Sequence, residues 1–211
     1  AVAALLCWVV LRPDPAALLT PQTPWAVLLA LGLWIAGRRQ AAGRGVALEP
    51  QAEGLAFDPV TGLLVATVRE ENRLLLIDGR TGRIEREVPL PGHARHLQLA
   101  APGGPVLVPA EDSDTLVLVS LPDGGTTEVE VGEYPHDAAQ VGGGRILVAD
   151  ELGGTLSVVQ DAEVVQTLDS QRQPGGIAAV GPLLQVSTGG VVVCLTPSPD
   201  GFGEQIADGP C

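Results

Sequence analysis

The sequence predicts an all-β fold: a β-propeller of about four visible four-stranded blades, read as a fragment of a larger propeller, preceded by an N-terminal membrane helix or hairpin. Two observations carry the propeller. With Leu55, Leu97, Ala138 and Ile177 taken as equivalent, the chain repeats at spacings of 42, 41 and 39 residues. Each repeat holds short apolar runs separated by polar turns, and a period of ~40–45 residues with four strands per unit is that of propeller blades. A third observation, the apolar run Trp25–Gly37 closed by Arg38 and Arg39, carries the membrane segment.

Residues 1–40 are read as the apolar membrane part. Ala1–Leu11 is one apolar run, and Trp25–Gly37 is a second of 13 residues, short of the ~20 that span a bilayer. Extending it back to Ala16 reaches that length and takes in Pro21, Gln22, Thr23 and Pro24. Those residues then sit at the interface, with Trp25 and Trp34 as aromatic anchors and the Arg pair as a stop. A cleaved signal peptide fits less well, because its basic residues should precede the apolar core. A buried helix is the remaining alternative. The expected location is the cell membrane. Arg38, Arg39 and Arg44 favour a cytoplasmic position for the chain beyond residue 40, and the side of the propeller stays open.

After a linker at 41–45, the repeats fill 46–211. Blade 1 (54–92) runs through Gly54-Leu-Ala-Phe57, Leu63-Leu-Val-Ala66, Leu74-Leu-Leu-Ile-Asp78 and Arg86-Glu-Val-Pro-Leu90. Blade 2 (93–133) has His96-Leu-Gln-Leu99, Val106-Leu-Val-Pro109 and Leu116-Val-Leu-Val119. Blade 3 (134–173) has Asp137-Ala-Ala-Gln140, Ile146-Leu-Val-Ala149 and Leu156-Ser-Val-Val159. Blade 4 (174–211) has Gly176-Ile-Ala-Ala179, Leu183-Leu-Gln-Val186 and Val191-Val-Val-Cys194, with Gly203–Asp208 as its outer strand. Gly45–Glu49 reads as a further outer strand with no blade of its own, so an open arc, or continuation into further blades, is expected.

Composition agrees with that organisation. Hydrophobic residues make up 45% of the 211 residues but aromatics only 3%, so the core must be aliphatic, as suits sheets packed face to face. All 12 basic residues are Arg, the bias of a GC-rich, bacterial coding sequence. Residues 1–45 carry four Arg and one Asp, whereas 46–211 carry eight Arg against 24 acids. A surface that acidic repels phosphate backbones, which argues against nucleic acid as a partner. Cys7, Cys194 and Cys211 show neither a disulfide framework nor metal-ligand spacing. Cys7 and Cys194 are expected to be buried hydrophobes.

Strand parity divides the loops between two faces. Turns such as Asp58-Pro-Val-Thr-Gly62, Asp78-Gly-Arg-Thr-Gly82 and Gly142-Gly-Gly144 fall on one, with ordinary Gly/Asp hairpin chemistry. The opposite face collects Arg69-Glu-Glu-Asn72, Glu111-Asp-Ser-Asp114 and Asp150-Glu-Leu-Gly-Gly154, with the connections Gly92-His-Ala-Arg-His96, Tyr134-Pro-His-Asp137 and Arg172-Gln-Pro-Gly175. The candidate ligand-binding residues on it are Glu70, Glu71, His93, Arg95, His96, Glu111, Asp112, Asp114, His136, Asp137, Asp150 and Glu151. His136 beside Asp137 is the candidate general acid or base, or metal ligand; the alternative is that it bonds neighbouring loop backbone between blades. The carboxylates can be read as converging on a hard cation such as Ca²⁺ or as a solvated acidic rim. There is no calcium-loop motif, phosphate loop, nucleophile elbow or zinc signature, and no cofactor is expected beyond that cation.

Around Tyr134-Pro-His-Asp-Ala-Ala, Arg145-Ile-Leu-Val-Ala-Asp and Gly154-Thr-Leu-Ser-Val-Val, the chain resembles the YVTN-type β-propeller repeats of bacteria. Gln173-Pro-Gly-Gly-Ile-Ala and Leu74–Gly82 are similar to the opening and closing of the same repeat. Leu and acidic or small residues replace the namesake Tyr and Asn. The resemblance covers about 46–211 and implies the propeller fold, in a group that includes surface and binding proteins alongside lactonase-like and lyase-like enzymes. It leaves three functions as expectations. The first is a membrane-tethered module binding a protein, peptide or small molecule on its acidic face. The second is an enzyme of lyase or lactonase type using His136 and loop carboxylates with a divalent cation. The third is a structural spacer of a membrane protein.

Overall fold

A run such as Leu74–Ile77 has no polar alternation, and it is stable as a strand only where both its faces are covered. That requirement sets the architecture. The computed structural model describes residues 52–170, 172–180, 183–188, 191–195, 197–198 and 201–202. The expected membrane segment, the Gly45–Glu49 strand and the Gly203–Asp208 strand lie outside the described residues. Among the described residues no helix is long and apolar enough to cross a membrane.

The described chain is all-β, apart from three short 3-10 turns. Blade 1 is the antiparallel sheet β1 (Ala52–Asp58), β2 (Leu63–Val68), β3 (Arg73–Asp78) and β4 (Ile84–Pro89), in that order. Blade 2 is β5 (Gln98–Leu99), β6 (Val106–Ala110), β7 (Thr115–Val119) and β8 (Thr126–Glu130). Blade 3 is β9 (Pro135–Gln140), β10 (Ile146–Asp150), β11 (Thr155–Gln160) and β12 (Glu163–Asp169). Blade 4 shows three strands among the described residues, β13 (Pro174–Val180), β14 (Leu183–Thr188) and β15 (Val191–Leu195), with a separate pair β16 (Pro197–Ser198) and β17 (Gly201–Phe202).

Alternate side chains of the middle strands pack in opposite directions. Leu63, Val65, Leu74 and Leu76 of blade 1 meet Val106, Val108, Val117 and Val119 of blade 2. The other side of blade 2, with Leu107 and Leu116, meets Ala138, Ile146, Val148 and Val159 of blade 3. Leu147, Leu156 and Val158 then meet Ile177, Leu184 and Val186 of blade 4. Both faces of the middle strands of blades 2 and 3 are thereby buried, which explains unbroken aliphatic runs with so few aromatics, whereas Val192 on β15 of blade 4 is exposed. The outer strands differ: in β4 only Val88 is buried, and in β8 only Val129.

Turn chemistry fixes the register. Asp58 Oδ2 accepts from the Thr61 N–H (2.9 Å) and hydroxyl (2.6 Å), while Oδ1 accepts from Gly103 N–H of blade 2 at 2.7 Å. Burial pushes the Asp58 pKa up, but these hydrogen bonds outweigh it and hold the group at about 2. The β2–β3 and β6–β7 turns are single 3-10 turns ending in a left-handed residue, Asn72 (φ +48°) and Asp114 (φ +52°); the β10–β11 turn uses Gly154 (φ +66°). Asn, Asp and Gly are the residues that tolerate this conformation best. The carbonyls of these three residues accept from Leu90, Val131 and Ser170 N–H at 2.7, 2.9 and 3.0 Å, tying each turn to the end of the outer strand.

Two expectations need correction. The innermost strand of blade 2 is only Gln98–Leu99, because the chain before it is held irregularly: Gly54 has room for no side chain against the Arg95 carbonyl, and Thr67 Oγ1 donates to that carbonyl at 3.3 Å. Cys194, expected as a buried thiol, is disulfide-bonded, its partner lying outside the described residues.

Candidate functional site: the interblade polar face

The pairings Val68↔Arg73↔Pro89, Ala110↔Thr115↔Glu130 and Pro135↔Asp150↔Thr155 bring the β2–β3, β6–β7 and β10–β11 turns to the same strand ends as the interblade connections. Gly142–Gly144 lies at the opposite end of β9 and β10, beyond the pair Gln140↔Ile146.

Glu111 is the centre of this face. It opens the β6–β7 turn, and its side chain is 1% exposed. Its Oε2 accepts from Arg69 Nη2 of blade 1 at 2.7 Å and from the Tyr134 hydroxyl at 3.1 Å. Its Oε1 has no hydrogen-bond partner among the described residues, with Arg95 Nε 4.0 Å away. Arg95 is held by Glu53 of blade 1 at 3.1 Å. Glu111 raises the Arg69 pKa; burial raises that of Tyr134, and Glu111 adds to it.

Tyr134 enters blade 3 in the left-handed conformation, φ +58°, uncommon for a bulky residue and a sign of imposed constraint. Three anchors impose it. Its N–H donates to Asp114 Oδ1 at 2.8 Å, its carbonyl accepts from Glu151 N–H at 3.0 Å, and its hydroxyl reaches Glu111.

The three histidines sit on the same connections. His93 Nδ1 pairs with Asp112 at 2.5 Å. His96 packs against His136, with ring centroids 4.6 Å apart and a tilt of 53°. Burial, and after it the neighbouring His136, lower the His96 pKa from 6.5, so at neutral pH this ring is a neutral imidazole. His136 Nδ1 is buried and has no hydrogen-bond partner among the described residues. Asp137 accepts from Ala138 N–H, from Ile177 N–H of blade 4 at 2.9 Å, and from Gln98 Nε2 of blade 2 at 3.2 Å. It therefore ties three blades together.

The remaining candidates separate. Glu70 is exposed, and Glu71 is ion-paired with Arg73. Asp150 departs from the expectation of a loop carboxylate: it ends β10 and is 0% exposed, with Oδ2 accepting from Ser157 Oγ at 2.7 Å and Thr155 Oγ1 at 2.9 Å. Burial raises its pKa against those hydroxyls. Among the described residues no group of three or more His, Cys, Asp or Glu side chains is placed to hold a metal ion. The carboxylates read as a convergent cation site are instead spread over separate partners.

The sequence reading omitted Arg69, Glu53, Tyr134 and Gln98 from the site. A signal for two of them was present. Arg69 and Glu111 are 42 residues apart, as are Glu53 and Arg95. Opposite charges one repeat apart occupy equivalent positions on adjacent blades, and so face one another.

No family model matches this sequence, and no curated protein does. Solved structures do resemble it. Hydrazine synthase of Kuenenia stuttgartiensis matches with a TM-score of 0.62 at 17% identity, over 74% of this chain and 48% of its own. Virginiamycin B lyase of Staphylococcus aureus matches at 0.60 and 17%, over 74% and 56%. The Cps50 (Swd1) β-propeller domain of Myceliophteria thermophila matches at 0.63 and 12%, over 74% and 56%. The chain thus spans about half the length of these structures, and at such identities the likeness establishes the fold alone: a β-propeller.

Proposed function

We propose that this chain is a membrane-tethered propeller module that binds a protein, peptide or small ligand through the face built by Arg69, Arg95, His96, Glu111, Tyr134 and His136. The observation that carries the reading is the set of buried polar atoms there with no hydrogen-bond partner among the described residues: Arg69 Nε, Glu111 Oε1 and His136 Nδ1. Buried polar atoms are normally satisfied, and a group left open calls for a partner. Glu111, Glu53, Glu71 and Asp112 are matched by Arg69, Arg95, Arg73 and His93, so recognition runs through hydrogen bonds rather than through a strong negative field. The tether is the 1–40 segment. The Cys194 disulfide supports an oxidising compartment for the propeller, against the cytoplasmic side favoured by Arg38, Arg39 and Arg44.

Amide and imidazole NMR of the chain, screened against a fragment library and a panel of short peptides, tests the reading. Binders should perturb Arg95, His96, Glu111 and His136, and Glu111→Gln should weaken them. Hits confined to the Gly142–Gly144 end would overturn it. A second reading, an enzyme of lyase or lactonase type, is favoured by one observation: His96 is kept neutral beside His136, as a general base requires.

A further inference from the structure

His96 and His136 come from consecutive blades, so their contact is part of the joint between blades 2 and 3. The charged groups around His96 are Arg95 from its own connection, His136 and Asp137 from β9, and Glu111 from the β6–β7 turn. Asp137 and Glu111 favour a charged His96, but burial and the His136 ring in contact with it, with Arg95 after them, outweigh the two carboxylates. Asp137 is also held by two backbone N–H groups and Gln98, and Glu111 by Arg69 and Tyr134, which fixes their positions around the joint. On its blade 2 side, only the two residues Gln98 and Leu99 pair with β6, so the connection carrying His96 has few ladder bonds to hold it.

We propose that the His96–His136 contact is a proton-operated latch between blades 2 and 3, closed near neutral pH and released on mild acidification, which remodels the ligand face. The remodelling of ligand affinity rests on the binding function proposed above; the latch itself does not. The sign follows from burial and the paired ring. The folded state disfavours the charged form of His96, so its contribution is fully present above the free value of 6.5 and is lost as pH falls below it. Release of a histidine contact across an interface is a known form of pH switch.

The test is a titration of the full chain in detergent micelles between pH 8 and 5, followed by imidazole NMR and by thermal unfolding. His96 should titrate below 6.5, and His136→Gln should move its midpoint upward. The melting temperature of the wild type should fall between pH 7.5 and 5.5; His96→Gln should reduce that fall, while His93→Gln, which alters a ring paired elsewhere, should keep it. A His96 midpoint at or above 6.5, or one unmoved by His136→Gln, overturns the latch, and because it needs only wild type and one conservative variant it does not depend on every mutant folding. Fragment binding that maps to the face at both pH values with normal histidine titration would remove the latch and leave the binding function standing. A latch without any binder would do the reverse.

Discussion

Removing Glu111 is the most direct perturbation of the polar face. Its side chain is 1% exposed and that of Arg69 is 18% exposed, so the pair is largely withdrawn from water. Glu111→Ala deletes two charge-assisted hydrogen bonds, from Arg69 and from the Tyr134 hydroxyl, each about 1.5–3 kcal/mol before the neighbours relax. Because Arg69 can partly rehydrate, the expected loss is about 3 kcal/mol. Arg69→Ala should cost more, about 3–5 kcal/mol, since it leaves a buried carboxylate with only a distant Arg95. The double variant should cost well under the sum, giving a coupling of about 2 kcal/mol. The exposed pair Arg73–Glu87, with side chains 25% and 53% exposed, is the internal control and should couple by about 0–1 kcal/mol. Urea unfolding at pH 7 of the four proteins in each cycle provides the measurement. Additive losses at Arg69 and Glu111, or a coupling no larger than the control, would refute the claim that a buried ion pair joins blades 1 and 2.

The buried carboxylates and the N-terminal segment each give a further expected outcome. Asp58→Ala should cost about 2–3 kcal/mol at pH 7 through lost charge-assisted bonds to Thr61 and Gly103; since the native group titrates at about 2 rather than 3.8, the wild-type advantage should vanish as pH falls through that window, and an advantage surviving at pH 1.5 would contradict it. Asp150 has the opposite sign: its raised pKa means that its contribution is present at low pH and lost as pH rises through the native value. Asp150→Asn should therefore gain on the wild type between pH 4 and 7.5 in parallel urea titrations, and a wild-type advantage that grows with pH would be the contrary result. If residues 1–40 tether the chain, it should stay in the membrane pellet after alkaline carbonate extraction, whereas residues 46–211 alone should be released; release of both would dismiss the tether.

The propeller was legible because the repeat period and the aliphatic runs are backbone-level signals. Leu74–Ile77 and Val106–Ala110 each need two covered faces, and only stacked sheets supply them. The grouping of loops followed from strand parity for the same reason. What parity cannot convey is which side chains turn inward. Asp150 ends four apolar residues and precedes Glu-Leu-Gly-Gly, so it reads as the start of a turn; the hydroxyls of Thr155 and Ser157 on β11 are what allow it to stay in β10 and buried. The shortening of β5 depends likewise on Gly54 and Thr67 in the neighbouring blade. Glu111 was chosen from sequence as one acid among several. Its distinction lies in Arg69, one period earlier, a correspondence found by comparing repeats for opposite charge instead of for likeness.

The distribution of charge bears on what the face can recognise. Residues 46–211 carry 24 acids against eight Arg, yet Arg69, Arg73 and Arg95 are engaged with carboxylates at this one face. Much of the remaining acidity lies on the outer strands, where Glu85, Glu87, Glu128, Glu130 and Glu163 are exposed. An outer strand presents unpaired backbone groups, and charged side chains there oppose edge-to-edge association. Part of the acidic excess therefore lies on the blade edges and away from the candidate face. At the candidate face Glu111, Glu71, Asp112 and Glu53 are paired with Arg or His, and Arg69 Nε, Glu111 Oε1 and His136 Nδ1 are buried with no hydrogen-bond partner among the described residues. If this face binds a partner through those atoms, as proposed above, salt should weaken the complex far less than the chain's overall charge would suggest.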